Sequence, residues 1–340
     1  MKPKVPIKFK ILFVCHPFHK TATKGRESHS LTILGLKKEL EKQGHTVDIL
    51  ETKVLFPKIK KGKYNIVHGF SGSSLKAIST WWIGKQYGAA TIHTIKSINP
   101  IWYGGYSFAR VLNIIDYITV PSDNMWMVFG GKGVSLNKMG IVHSNIDVKK
   151  FEPKKVKKPK WLEGRPMVFY WGALWGEKGV EDLVEASKRL LTVNFVVIPR
   201  YDHPEQIKNL KEAGLNFYLL ESKTDIVKYL NMCDIVCLPY RTLDRTEGNP
   251  SCMLEAWANK KPVVTTDIPD LYHLAEDKVL WAKPNDPEDL ANTIHVLLET
   301  HSLRKNIAKA GYQKRGRYDH KKIAAEFDNL YFCTWCKRFN

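Results

Sequence analysis

Glu247 and Glu255 stand eight positions apart in the run Glu247-Gly248-Asn249-Pro250-Ser251-Cys252-Met253-Leu254-Glu255-Ala256. An apolar, strand-like segment at 234–239 precedes the run, and a second at 261–266 follows it. A helix between them starts near Pro250, since proline is tolerated in the first helical turn, where its missing N–H would have no partner anyway. Glu247 then lies in the loop above the helix N-terminus, and Glu255 lies more than a turn further in. The backbone N–H groups around Gly248, Asn249, Ser251 and Cys252 fall between the two acids, where a helix start receives anions. One carboxylate for a ligand's outer part, one for its inner part and an anion seat between them suit a nucleotide-sugar. Taken alone, the pair also fits a surface helix with two solvated glutamates.

Other residues extend the chemistry. Lys178, in Trp171-Gly172-Ala173-Leu174-Trp175-Gly176-Glu177-Lys178-Gly179, places a cation at a strand–helix turn, where it can oppose a diphosphate. Arg241 and Arg245 lie just upstream of Glu247. In Lys24-Gly25-Arg26-Glu27, Gly25 lets backbone approach a ligand closely. His93 closes the apolar run 90–93, and an imidazole at a strand end can hold a sugar hydroxyl or charge developing on a leaving phosphate. The aromatic, glycine-rich segment 101–106 suits a sugar acceptor, lipid headgroups or burial equally.

A length of 340 residues fits two domains of ordinary size. A chain 44% hydrophobic and 26% charged is soluble and globular in type, and no apolar run reaches the length of a membrane span. The apolar run 11–15 is too short for a signal-peptide core, which points to the cytoplasm. Six scattered cysteines read as free thiols, and Cys333-x-x-Cys336 lacks the second pair a zinc site needs. The formal net charge of +19 concentrates anions around the protein. No nucleic-acid-reading motif accompanies that charge, so the partners it suggests are phosphorylated ligands and an anionic membrane surface.

Strand-like and helix-like segments alternate through the chain. Strands are expected at 9–16, 46–50, 65–68, 90–94, 115–121 and 140–143. A second series follows at 167–171, 194–198, 216–220, 234–239 and 261–266. Helices are expected at 30–43, 75–87, 180–191, 225–231, 287–298, 302–314 and 320–335. Such alternation predicts parallel sheets covered by helices, the α/β class. The Lys- and Pro-rich stretch 149–166 breaks the rhythm and reads as a linker between two doubly wound halves. Ligands of such folds sit at the carboxyl ends of the strands.

The acidic run, continued through Glu255-Ala256-Trp257-Ala258 to Pro262-Val263-Val264, resembles the E-x7-E signature of retaining glycosyltransferases of family 4. Trp171–Gly179 is similar to that family's strand–lysine–glycine segment, and Lys24–Glu27 resembles its glycine loop. The resemblance covers nearly the whole chain and is strongest at 233–290. It implies the GT-B fold, with two Rossmann-like domains facing each other across a cleft. The N-terminal, acceptor-side domain would be 1–148, the linker 149–166, the nucleotide-sugar domain 167–315, and 316–340 a helix returning to the first domain.

By the same resemblance Glu247 holds the transferred sugar, Glu255 the ribose, Lys178 the diphosphate, and His93 faces sugar and pyrophosphate. The donor is a nucleotide-diphosphate sugar and the acceptor a lipid, glycan or small molecule. No metal or other cofactor is obligatory by that resemblance. Separately, the charge of +19 and the aromatic segment 101–106 raise the expectation of a cytoplasmic protein able to attach peripherally to the inner face of the cell membrane. The sequence departs from the pattern at Lys24 and Lys261, which replace glycines, and at Ile198-Pro199-Arg200. It departs also at Ala173, which takes the place of a phosphate-binding arginine. Arg200, Arg241 or Arg245 could substitute, and Arg241 and Arg245 stand nearest the motif. Two other readings share the fold: a non-catalytic sugar-nucleotide or glycan-binding protein, and a nucleotide-sugar epimerase.

Overall fold

The computed structural model describes residues 7–17, 28–71, 75–96, 106–201, 207, 210, 213–242 and 249–339. The chain forms two compact units, one holding the first strand with His29–Asn145 and the chain from His320 on, the other holding Ile146–Asp319.

In the first unit, β1 (Lys10–Cys15), β2 (Thr46–Glu51), β3 (Ile66–Ser71), β4 (Ala90–Ile95), β5 (Tyr117–Val120) and β6 (Met139–Ile141) form a parallel sheet in the order β2-β1-β3-β4-β5-β6. Its helices include α1 (Ser28–Lys42), α2 (Leu75–Tyr87), α3 (Tyr106–Asn113) and α4 (Asp123–Gly131). Every residue of β4 is buried, as expected of a strand covered on both faces, and its polar members Thr91, His93 and Thr94 find side-chain partners in Asp116, Thr80 and His68. Helix α4 was not anticipated from periodicity. It begins at Ser122, whose hydroxyl accepts the Met125 N–H at 3.2 Å, a side-chain cap that the dipeptide Pro121-Ser122 signals only in hindsight.

The second unit repeats the plan. Strands β7 (Met167–Gly172), β8 (Asn194–Pro199), β9 (Phe217–Leu219), β10 (Ile235–Leu238), β11 (Val263–Thr266) and β12 (Leu280–Ala282) run parallel in the order β12-β11-β10-β7-β8-β9. The described helices are α5 (Val180–Arg189), α6 (Ile226–Met232), α7 (Ser251–Ala258), α8 (Pro269–Ala275), α9 (Pro287–Glu299) and α10 (His301–Lys314). The chain builds outward from β7 through β8 to β9, then reverses to place β10 on the other side of β7. That reversal creates a topological switch point between the carboxyl ends of β7 and β10.

The stretch 149–166 is packed against the second unit. Val148, Phe151 and Leu162 enter its core, and the Asn259 amide donates to the Phe151 carbonyl at 2.8 Å. Its lysines are mostly exposed, which hides from a composition reading Phe151 and Leu162, the buried side chains that fix the segment.

The last helix, α11 (His320–Phe339), belongs to the first unit. Ile323, Ala324, Phe327 and Tyr331 join the core around β1 and β3. Gly35 of α1 lies against the His320 ring, leaving no room for a Cβ. At the far end, His68 of β3 bonds the Tyr331 hydroxyl through Nδ1 at 2.8 Å and Thr94 Oγ1 through Nε2 at 2.7 Å, and Thr94 in turn meets Thr119 at 2.6 Å. Tyr331→Phe strips the buried imidazole of one partner. A loss of about 1–3 kcal/mol is expected, read by chemical unfolding, together with faster hydrogen exchange in α11. Unchanged exchange there would show that apolar packing alone docks the helix.

Candidate active site

Strand β7 runs through the centre of the second sheet, and its carboxyl end is apolar up to Trp171, which is 4% exposed. Gly172 and Ala173 follow, then a short 3-10 turn at Gly176–Lys178, and Gly179 opens α5 with φ +67°. A Cβ on Gly179 would overlap the Pro239 carbonyl oxygen. Only glycine therefore lets this turn close against the end of β10. The closure carries Lys178 to Tyr240, with the ammonium 4.7 Å from the ring centroid. Lys178 is thus set at the switch point, as the fold's general ligand position requires.

Helix α7 brings the second group of residues. Met253, Leu254, Ala256, Trp257 and Ala258 are fully buried, so the helix is held in place by its apolar body. A Cβ on Gly311 of α10 would collide with the Trp257 indole, a sign of how closely α10 braces it. Gly311→Ala is expected to cost about 1–3 kcal/mol of stability by overpacking, measured as a lowered Tm; an unchanged Tm would show that the indole can move aside.

Pro250 serves as the N-cap of α7 and no side chain caps the helix start. Ser251 and Cys252 supply the first turn. Cys252 Sγ reaches the Trp171 carbonyl at 3.3 Å, and Glu255 Oε2 accepts the Trp171 Nε1–H at 2.8 Å. Glu255 is only 9% exposed. A neutral indole donor stabilises the carboxylate without cancelling its charge. Asn249, just before the helix, is fully buried, and neither its amide nitrogen nor its amide oxygen has a hydrogen-bond partner. Leaving such groups unsatisfied costs about 1–3 kcal/mol, which a ligand's hydroxyls or phosphate oxygens would recover.

Arg241 is committed elsewhere. Its Nε and one terminal nitrogen donate to Asp182 of α5 at 2.8 and 2.6 Å, its other nitrogen lies 3.5 Å from Glu181, and its backbone N–H donates to the Glu177 carbonyl at 2.9 Å. The bond to Asp182 holds the guanidinium firmly charged. The expected phosphate-gripping substitute is therefore a strut that ties the chain after β10 to the start of α5. No local pattern hints at this pairing, because Asp182 reads as an ordinary first-turn acid.

His93 lies on β4 of the first unit, 1% exposed, with Nδ1 2.9 Å from Thr80 Oγ1 and Nε2 3.0 Å from Ser71 Oγ. Burial lowers its pKa to about 3. A neutral ring hydrogen-bonded at both nitrogens offers neither to a ligand in this structure. In this structure the ring bridges Ser71 of β3 and Thr80 of α2. Gly69 makes that possible, since a Cβ there would strike both Thr80 and His93. Glu247, Gly248, Arg245 and Gly25, with the aromatic residues 101–105, lie outside the described residues. The structure thus gathers Lys178, Asn249, Ser251, Cys252 and Glu255 around the end of β7. It adds Trp171, Gly179, Asp182 and Tyr240, of which only Trp171 and Gly179 belong to a motif visible in the sequence.

Residues 151–314 match the family described as "Glycosyl transferases group 1". The chain is 29% identical over 272 residues to an N,N'-diacetylbacillosaminyl-diphospho-undecaprenol alpha-1,3-N-acetylgalactosaminyltransferase of Campylobacter jejuni, covering 76% of this chain and 69% of that protein. It is 26% identical over 166 residues to an uncharacterized glycosyltransferase of Methanocaldococcus jannaschii, covering 47% of this chain and 46% of that one. Anabaena HepE, solved in complex with UDP and glucose, superposes with a TM-score of 0.75 at 15% identity over 95% of this chain and 99% of its own. Sucrose-phosphate synthase from Thermosynechococcus elongatus superposes with a TM-score of 0.78 at 16% identity, over 96% of this chain and all (100%) of its own. The two parallel six-stranded sheets and the structures they superpose on give the chain the GT-B fold, and its second unit matches the glycosyl transferases group 1 family.

Proposed function

We propose that this protein is a glycosyl transferase that takes a sugar from a nucleoside-diphosphate donor and passes it, with retention of anomeric configuration, to a lipid-linked acceptor. The observation that carries the donor reading is the meeting of Lys178, the start of α7 and the unpartnered Asn249 amide around the carboxyl ends of β7 and β10. A cation and a helix start are what a diphosphate needs. An amide with two unmet bonds, and an acid buried beside it, suit polyhydroxyl groups. The C. jejuni relative, named for a diphospho-undecaprenol acceptor, supports the lipid-linked class. The charge of +19 supports work at an anionic membrane surface. No helix among the described residues is long and apolar enough to cross a membrane.

In this reading Glu255 holds the ribose, Glu247 the transferred sugar, and Lys178 with the first N–H groups of α7 takes the charge that grows on the departing diphosphate. That charge develops only as the glycosidic bond breaks, so these groups favour the transition state over the bound donor. The departing phosphate oxygen receives the acceptor's proton, and no metal is required. Transfer of labelled sugar to a polyprenyl-diphosphate-linked acceptor, with stereochemistry assigned by NMR, tests the reading. Glu247→Ala should lower transfer by roughly 100-fold or more. Equal activity of wild type and variant would overturn the assignment, as would an inverted product. Asn249→Leu provides a second test. Removing an unsatisfied buried amide should leave Tm unchanged or raised, while affinity for the donor falls about 10-fold; a fall in both would mark Asn249 as structural.

A further inference from the structure

Strand β8, the neighbour of β7 away from Lys178, ends in a cation that no described carboxylate neutralises. Arg200 follows Pro199, and its backbone N–H donates to the Gly172 carbonyl at 2.7 Å, extending the β7–β8 pairing to the last residue of β7. Its side chain is half-buried and its Nε is buried with no hydrogen-bond partner. The guanidinium carbon lies 5.4 Å from the Tyr201 ring centroid. It is also close enough to Tyr170 to act on it electrostatically, yet burial outweighs that pull and keeps the phenol protonated. The Tyr170 hydroxyl donates to the Ala173 carbonyl at 2.5 Å, so it offers Arg200 no counter-charge. Arg241, by contrast, is paired twice over with Asp182.

A desolvated guanidinium with an unmet N–H is costly, and the molecule recovers that cost when an anion arrives. The place selects the anion. Lys178 leans toward Tyr240 after β10, Arg200 stands at the end of β8, and the end of β7 lies between these two strands. An anion lying across the end of β7 would have a compact cation on its β10 side and a planar, bidentate cation on its β8 side. A single phosphate uses one of them, whereas two linked phosphates use both. Resting on the donor reading above, we propose that Arg200 grips the diphosphate of the nucleotide donor. It would do so from β8, in place of an arginine at position 173. Small residues at 172 and 173 fit this arrangement, because the side chain that supplies the charge comes from the neighbouring strand.

Isothermal titration of the whole protein with UDP, GDP, ADP and dTDP selects the diphosphate that binds wild type. The matching monophosphate and free nucleoside are then titrated into wild type, Arg200→Ala, Arg200→Lys and Arg200→Gln. Arg200→Ala and Arg200→Gln should weaken the diphosphate by about 10- to 100-fold, change the nucleoside by less than about threefold, and leave Tm near wild type. Arg200→Lys should recover part of the loss, since it restores charge without the planar fork. Diphosphate binding within about threefold of wild type in Arg200→Gln would overturn the proposal. So would an equal loss for diphosphate and nucleoside, which marks a structural role. Failure of wild type to bind any of the four diphosphates would instead remove the donor reading on which the proposal rests.

Discussion

Gly179→Ala is expected to abolish transfer and to destabilise the second unit. The residue sits at φ +67°, where a Cβ costs roughly 1–2 kcal/mol. That Cβ would also overlap the Pro239 carbonyl oxygen, and backbone cannot step aside as a side chain can, so a further 1–3 kcal/mol or so follows. The turn opens to relieve the overlap, and Lys178 moves with it. Displacing a charge by about 1 Å from its working position can cost roughly 100-fold in rate. Lys178→Met provides the comparison, because it deletes the ammonium and leaves the turn intact. It should lose transfer with Tm held, whereas Gly179→Ala should lose both. A Gly179→Ala protein with wild-type Tm would refute the steric argument.

Acid should loosen the first unit well before carboxylates alone would do so. His93 has an ordinary pKa of 6.5 that burial lowers to about 3, and burial likewise lowers His68 well below 6.5. Above pH 6.5 both rings are neutral in the folded and unfolded chain and contribute no pH dependence. Below it the unfolded chain takes up protons that the folded one refuses, so stability falls as pH falls. For His93 the window runs from 6.5 down to about 3. The slope is about 1.4 kcal/mol per pH unit for each ring, hence roughly 3 kcal/mol from His93 alone between pH 6.5 and 4.5. Hydrogen exchange of β3 and β4 amides reads the first unit separately. His93→Gln, which can still bond Thr80 and Ser71, should halve the slope. Parallel pH profiles for wild type and variant would refute the assignment.

The α/β plan was legible because strands covered on both faces are written as unbroken apolar runs. The helix at 75–87 coincides with its periodic pattern, and Asp225 and Asp286 cap the helices that follow them. Helices α3, α4 and α8 have no counterpart among the expected elements; α8 is a short element starting at Pro269 that leaves too few turns for a period to emerge. The site was half legible. Lys178 and the run to Glu255 show as local motifs, since turn and helix-start chemistry is encoded in neighbouring residues. Asp182 claims Arg241 across 59 positions, and the Trp171 indole claims Glu255 across 84. Such pairings are made by sheet order, which no local pattern records. A buried histidine and a ligand histidine are likewise the same letter; the two hydroxyls that enclose His93 come from different elements.

The route of the backbone bears on how the protein is made. The chain leaves the first unit after Asn145 and re-enters it at His320, where the Asn145 amide meets the His320 ring at 2.8 Å. During synthesis the first six strands therefore emerge without the helix that closes their core, and Ile11, Phe13 and Ile66 lack that cover until α11 arrives. The second unit draws nothing from the chain beyond Asp319 and can complete itself in the meantime. The usual order of domain maturation on the ribosome, first-made first-folded, is inverted here. A release of the nascent chain before α11 would expose an apolar sheet face to chaperones and proteases, so truncation by a single helix is a quality-control signal for the whole enzyme.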